Sequence, residues 1–159
     1  MLQSDPLQRL ALLLKQEAIL HASPSQPIGT PTGTHGGWML YTWNCTLTAP
    51  GALLAGQCVL QALASFESTQ LATMGYTAVP IMSSCILQGE GRYTGLCVRQ
   101  QRKGHSSFRR IDGPRRGGDP GGVVLLDDSI STGSSMLTAI AALEEEGFRV
   151  EGCICLVNF

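Results

Sequence analysis

With 159 residues, the chain suits one domain with a real hydrophobic core and is short for a second full domain. Hydrophobic residues make up 43% and charged residues 14%, a globular balance, and no apolar run reaches the roughly 18–20 residues that cross a bilayer. The N-terminus lacks a basic stretch followed by an apolar segment and a small-residue cleavage site, so the sequence reads as cytoplasmic.

Ser4-Asp5-Pro6 is a helix start, with a capping side chain and proline in the first turn. Leu7, Leu10, Leu14 and Ala18 recur at helical spacing and carry that helix to about Leu20. Residues 22–37 are rich in Pro, Gly, Ser and Thr and read as loop, and Trp38 to Leu47 reads as a strand or hairpin arm. A second helix follows Pro50 to about Phe66. Leu71 to Met74 is a short buried strand ending in a turn at Gly75, and Ala78 to Leu87 is the next helix. Gly95 to Arg99 is a strand, followed by a basic loop to about Gly122. Val123 to Leu126 is a continuous apolar run of the kind covered on both faces. Met136 to Glu146 is a helix ended by Gly147, and Val150 to Val157 is an apparently central strand. Alternation of strand and helix over 70–157 implies a parallel sheet flanked by helices. The sequence ends at Phe159 just after a strand, where a doubly wound sheet is usually followed by more helix or an edge strand. A compact sheet and an early end both fit.

None of the six cysteines forms a CxxC pair, so the usual spacing of a zinc or redox site is absent. Cys153 and Cys155 alternate on one strand face and are expected to pack together as reduced core thiols. Charge is unevenly placed. Residues 92–116 hold eight basic side chains and a single acid, Asp112, in a chain whose net charge is −1. Such a loop suits a polyanion, either a nucleic acid or a small polyphosphate, and it lacks interleaved aromatics other than Phe108.

The apolar run leads straight into Asp127-Asp128, then Ser131-Thr132-Gly133-Ser134-Ser135, then a helix. A strand of this kind delivers carboxylates to the carboxyl edge of the sheet, where open α/β folds bind ligands. The turn offers hydroxyls and backbone N–H groups at a helix N-terminus, which cradle a phosphate. The acids would repel a bare phosphate, whereas a sugar phosphate satisfies both halves. An acidic helix-capping turn and a receiver-type acidic pair are the other readings; a Walker loop is excluded because no GxxxxGK[ST] occurs.

Residues 123–135 resemble the phosphoribosyl-pyrophosphate signature of type I phosphoribosyltransferases. The resemblance implies an α/β fold with a parallel sheet flanked by helices. It also implies one domain over 1–159, with an N-terminal helix and hood segment at 1–49 and a core at 50–159 carrying a mobile loop at about 100–118. In that family paired acids bind the ribose hydroxyls and the following turn binds the 5-phosphate. Asp127 and Asp128 would take the first role, and Ser131, Thr132, Gly133, Ser134 and Ser135 the second. Arg99-Gln100-Gln101-Arg102-Lys103-Gly104-His105 is similar to the catalytic loop of the orotate branch, which implies Arg99, Lys103 and His105, together with Asp128, as catalytic residues. Gly75 to Pro80 resembles the pyrophosphate loop, with Thr77 and Ala78 in contact with the donor, and Tyr41 and Trp43 resemble the nucleobase segment. Mg²⁺ bridging ligand oxygens without direct protein ligands, and a homodimer sharing the loop, are further implications.

The sequence departs from the branch at cations. Gln100 and Thr77 stand where the branch has lysines, Thr34 falls at its upstream nucleobase lysine, and Phe159 at a late arginine. Each charged hydrogen bond lost toward orotate's carboxylate costs about 1–3 kcal/mol, so the acceptor stays open. Three functions follow: phosphoribosyl transfer from 5-phosphoribosyl 1-pyrophosphate to a nitrogenous base, a regulatory module that binds the donor without transfer, and a nucleic-acid module built on 92–116. The last explains the charge but leaves Asp127 and Asp128 without a task.

Overall fold

The computed structural model describes residues 5–23, 25, 27–29, 35–100, 110–114 and 122–159. The chain forms two compact units, Met1–Leu54 and Ala55–Phe159.

In the first unit, helix α1 spans Pro6–Glu17, with Asp5 Oδ1 accepting from the Leu7 N–H at 3.3 Å and proline in the first turn. Leu10, Leu14 and Ala18 are buried, whereas Leu7 is 59% exposed, so the inward stripe begins one turn later than the spacing suggests. The helix also stops short of Leu20. Ile19–His21 forms strand β1, paired antiparallel with β4 at Trp38–Leu40, and cross-strand pairing there prevails over the helical pattern. The expected loop 22–37 holds a two-residue pair, β2 (Ile28–Gly29) and β3 (His35–Gly36). The expected strand 38–47 ends at Leu40 and gives way to the short helix α2, Trp43–Thr46. Thr48 explains that turn: its hydroxyl donates to the Cys45 carbonyl at 2.8 Å and accepts from the Gly51 N–H at 3.2 Å. Helix α3, Ala49–Leu63, carries Pro50 in its first turn, where no N–H is required, and ends before Phe66.

The second unit is built on β5 (Gln70–Met74), β6 (Thr94–Val98), β7 (Ile111–Asp112), β8 (Val123–Ile130) and β9 (Val150–Asn158), in the order β7-β6-β5-β8-β9. All neighbours are parallel except β7, which returns antiparallel to β6 inside the expected basic loop. The parallel, helix-flanked sheet read from the sequence is therefore observed, with one short antiparallel edge. Helices α4 (Val79–Gln88) and α5 (Ser134–Glu145) flank it.

Residues Val123 to Leu126 are at most 2% exposed. Val123 and Leu125 join Ala72, Leu96, Val98 and the Ala139–Ala142–Leu143 face of α5 in one core, and Val124 and Leu126 fall on the other face by the two-residue repeat of a strand. Burying four such side chains contributes about 1.5–3 kcal/mol each, which fixes the register of the strand and so the placement of the acids at its carboxyl end. Strand β9 is an edge rather than a central strand, so its side chains are mostly half-buried. Cys153 and Cys155 accordingly share a face but not a core: Cys153 is exposed and Cys155 half-buried, and partial burial raises both thiol pKa values. Among the described residues no helix is long and apolar enough to cross a membrane.

Candidate functional site

Strand β8 continues four residues past the expected end at Leu126, so Asp127 and Asp128 belong to the strand itself. Pairing with β9 carries on through Asp127↔Cys155 and Ser129↔Val157, which holds this stretch extended. By alternation Asp127 prolongs the Leu125 face, on the α5 side, and Asp128 prolongs the Leu126 face. The Asp128 N–H donates to Asp127 Oδ1 at 2.9 Å. The two acids thus stand side by side without sharing one orientation.

At the end of β8 the chain turns into α5 through Gly133, whose φ of +75° suits glycine because a side chain would be strained there. Gly133 has no side chain with which to cap the helix, but Thr132 Oγ1 accepts from the Ser134 N–H at 3.4 Å and meets the Ser134 hydroxyl at 3.0 Å. A cavity of about 190 Å³ opens at this helix end, lined by Asp127, Ser129, Ile130, the turn Ser131 through Ser135, and Met136. First-turn amides, four hydroxyls from Ser131, Thr132, Ser134 and Ser135, and the positive end of the helix dipole give it the chemistry and size that suit an anion such as phosphate. All five turn residues expected at the phosphate are brought together here. Asp127 meets them at the rim, and Asp128 is not among the described walls.

The Asp127 carboxyl is pushed up to about 6, first by burial and then by its hydrogen bond to and charge repulsion from Asp128, with the Asp128 amide offsetting part of the rise. Asp127 in turn adds to the elevation of Cys153 and Cys155. A carboxylate in this condition is stabilised by hydroxyl donors or by positive charge.

A second cavity, of about 650 Å³, lies at the ends of β5 and β6 and is lined by Gly75, Tyr76, Cys97 through Gln100, and Asp112. Gly75, with φ +75°, turns the chain, and its N–H donates to the Val98 carbonyl at 3.3 Å. Arg99 lines this cavity, and its Nε and Nη2 both reach Asp112 Oδ2 at 2.5 Å. Arg110 binds the far side of the same corner, with Nε to the Arg99 carbonyl at 3.4 Å and Nη2 to the Gln100 carbonyl at 3.3 Å. Sequence reasoning missed Asp112 as a site residue, although its being the single acid among eight bases was the available signal. Ser129, Ile130 and Met136, which line the cavity at the N-terminus of α5, were also missed.

Thr77 is half-buried and Ala78 fully buried just ahead of α4, so Ala78 has only its main chain to offer a ligand; neither lines the two cavities. Tyr41 and Trp43 belong to the first unit, with ring centroids 6.0 Å apart and planes tilted by 58°. Lys103, His105 and Thr34 lie outside the described residues.

No family model matches the chain. The chain is 31% identical over 150 residues to the orotate phosphoribosyltransferase of Corynebacterium glutamicum strain R, covering 94% of this chain and 78% of that protein. The crystal structure of a phosphoribosyltransferase from Corynebacterium diphtheriae is 26% identical with a TM-score of 0.80, covering 96% of this chain and 83% of that one. In fold alone, the chain is also similar to the orotate phosphoribosyltransferase of Mycobacterium tuberculosis H37Rv crystallised with 5-phospho-alpha-D-ribosyl 1-diphosphate (TM-score 0.78, 19% identity, 97% and 83% coverage). At 31% identity to the Corynebacterium glutamicum protein, over that much of both chains, the chain belongs to the orotate phosphoribosyltransferases.

Proposed function

We propose that the protein is a phosphoribosyltransferase that moves the phosphoribosyl group of 5-phosphoribosyl 1-pyrophosphate onto a nitrogenous base, with orotate the first acceptor to test. The observation that carries this reading is the cavity at the N-terminus of α5, where a phosphate-sized cradle meets a half-buried carboxylate whose pKa is raised to about 6. The 5-phosphate accepts from the amides and hydroxyls of Ser131 through Ser135, and Asp127 and Asp128 accept from the ribose hydroxyls. Cleavage of the C1–pyrophosphate bond builds positive charge on the sugar and negative charge on the leaving group. Arg99, with Lys103 and His105 from the loop at about 100–118, neutralises the latter in a site cleared of water. Thr77 and Ala78 approach the pyrophosphate through their backbone, and Tyr41 and Trp43 offer aromatic faces to the base.

Among the described residues no cluster of three or more His, Cys, Asp or Glu could hold a metal ion. From family resemblance, Mg²⁺ would be held by the ligand's own oxygens and water rather than by protein carboxylates. Bound there, the ion would spread the pyrophosphate charge. A homodimer in which the loop reaches the neighbouring site, and a cytoplasmic location, complete the reading. Family membership favours transfer over the donor-binding regulatory module.

The test is direct. The purified protein is mixed with donor, Mg²⁺ and a panel of bases that includes orotate, and pyrophosphate release is measured. Release with one base names the acceptor; saturable donor binding without release for any base would overturn transfer and leave the regulatory module.

A further inference from the structure

We propose that Asp112 is a positioning residue that holds the Arg99 guanidinium at the mouth of the pyrophosphate cavity. The inference rests on the donor-site reading under Proposed function and assigns a role to a side chain that the reading leaves unused.

The geometry begins with β7, a strand of two residues, Ile111 and Asp112, registered against Val98 and Cys97 of β6. The Arg99 N–H donating to the Arg110 carbonyl at 2.7 Å extends that pairing by one rung. Asp112 is thereby brought beside Arg99 by backbone pairing rather than by chance approach of two flexible side chains. Two guanidinium nitrogens, Nε and Nη2, converge on one carboxylate oxygen, Oδ2, at 2.5 Å each. This grip sets the plane of the guanidinium, and Nη1 has no partner among the described residues. Arg99 and Asp112 both line the cavity of about 650 Å³ with Gly75 and Tyr76.

Two alternatives make opposite forecasts. A merely structural ion pair would show in folding, but these side chains are 42% and 37% exposed, where such pairs add little to stability. A carboxylate acting only through its charge would repel an anionic ligand, so its removal would tighten anion binding. A carboxylate acting through the orientation of Arg99 does the reverse: its removal weakens anion binding although a repulsive charge has gone.

The experiment titrates inorganic pyrophosphate with Mg²⁺ by calorimetry into the full chain and into Asp112→Asn, Asp112→Glu, Arg99→Ala and the double variant Asp112→Asn/Arg99→Ala. Removing a charged hydrogen-bond donor makes Arg99→Ala about tenfold or more weaker. Asp112→Asn is expected to be roughly three- to tenfold weaker, and the double variant no weaker than Arg99→Ala, the coupling expected of one residue acting through another. Asp112→Glu, which keeps the carboxylate, is expected within about twofold of the parent, and melting temperatures within about 4 °C of it. Tighter binding by Asp112→Asn, or costs of the two single variants that add in full, would overturn the proposal while leaving the donor site intact. No pyrophosphate binding by the parent chain would overturn both.

Discussion

Donor affinity should fall tenfold between neutral pH and pH 5 through one group, Asp127. Its carboxyl is pushed up to about 6, mainly by burial, from an ordinary value of 3.8. If only the ionised Asp127 accepts its ribose hydroxyl at full strength, apparent affinity scales with the ionised fraction. That fraction is about 0.9 at pH 7 and about 0.1 at pH 5, whereas a carboxyl at its ordinary value would remain about 0.9 ionised at pH 5. The resulting loss of about tenfold is within the worth of a charge-assisted hydrogen bond. The donor's own phosphate groups titrate near 6 as well, so the measurement is the difference between two pH series. The parent and Asp127→Asn are each titrated with donor and Mg²⁺ from pH 5 to 8. The parent should be about tenfold tighter at pH 7.5 and converge on the variant by pH 5. Parallel series would refute the assignment of Asp127 to the hydroxyls.

The same group makes a stability prediction of opposite sign. A pKa raised by folding means that the protonated form favours the fold, so Asp127 contributes fully below pH 3.8 and its contribution is lost as pH rises through about 6. The gap between those values corresponds to at most about 3 kcal/mol, and solvent reaching a half-buried carboxylate reduces this to about 1 kcal/mol. Asp127→Asn should therefore melt a few degrees higher than the parent at pH 7.5, keep about half of that advantage at pH 5 and lose the rest as pH falls toward 3.8. Weaker binding with greater stability is the signature of a group kept for its ligand.

Asp128→Asn should abolish donor binding; unchanged affinity in a titration would remove Asp128 from the site. Gly133→Ala forces a side chain to φ +75°, at a cost of about 1–2 kcal/mol in the turn, and should weaken donor binding along with stability; an unchanged melting curve would show that the turn tolerates a side chain. Thr73 is fully buried in β5 and its hydroxyl finds no partner among the described residues, so Thr73→Val should be stabilising by about 1 kcal/mol in denaturant unfolding. A clear loss of stability would mean that the hydroxyl is satisfied by a buried water.

How much could be read in advance depended on where the forces act. The strands and helices of 70–157 were legible because buried apolar runs and helical spacing are local in sequence, and the observed boundaries shift mostly by a residue or two. Strand β8 was the exception in length. Its last four residues, Asp127 to Ile130, are polar or half-buried, and only pairing with β9 keeps them extended. The N-terminal unit was read poorly for the same reason. Strand β1 exists because Ile19 faces Leu40 across twenty residues of sequence, and α2 because Thr48 closes a turn that no hydrophobic period announces.

The acids show the same division at the site. Adjacent carboxylates after an apolar run could be found by pattern, and a shared ribose role could be proposed for the pair. That they differ, with Asp127 at the cradle rim and Asp128 on the other strand face, emerges from the two-residue repeat once the strand is known to continue through them. Asp112 needed still more. A lone acid in a basic stretch is a weak sign by itself, because solvated loops often hold one. It becomes informative only when backbone pairing sets it opposite Cys97 and its carboxylate takes two nitrogens of Arg99. Cations gathered for an anionic ligand repel one another before it arrives, and the Asp112 carboxylate offsets that repulsion at Arg99. The basic segment can thus hold one arginine oriented ahead of its ligand, which its net charge alone would oppose.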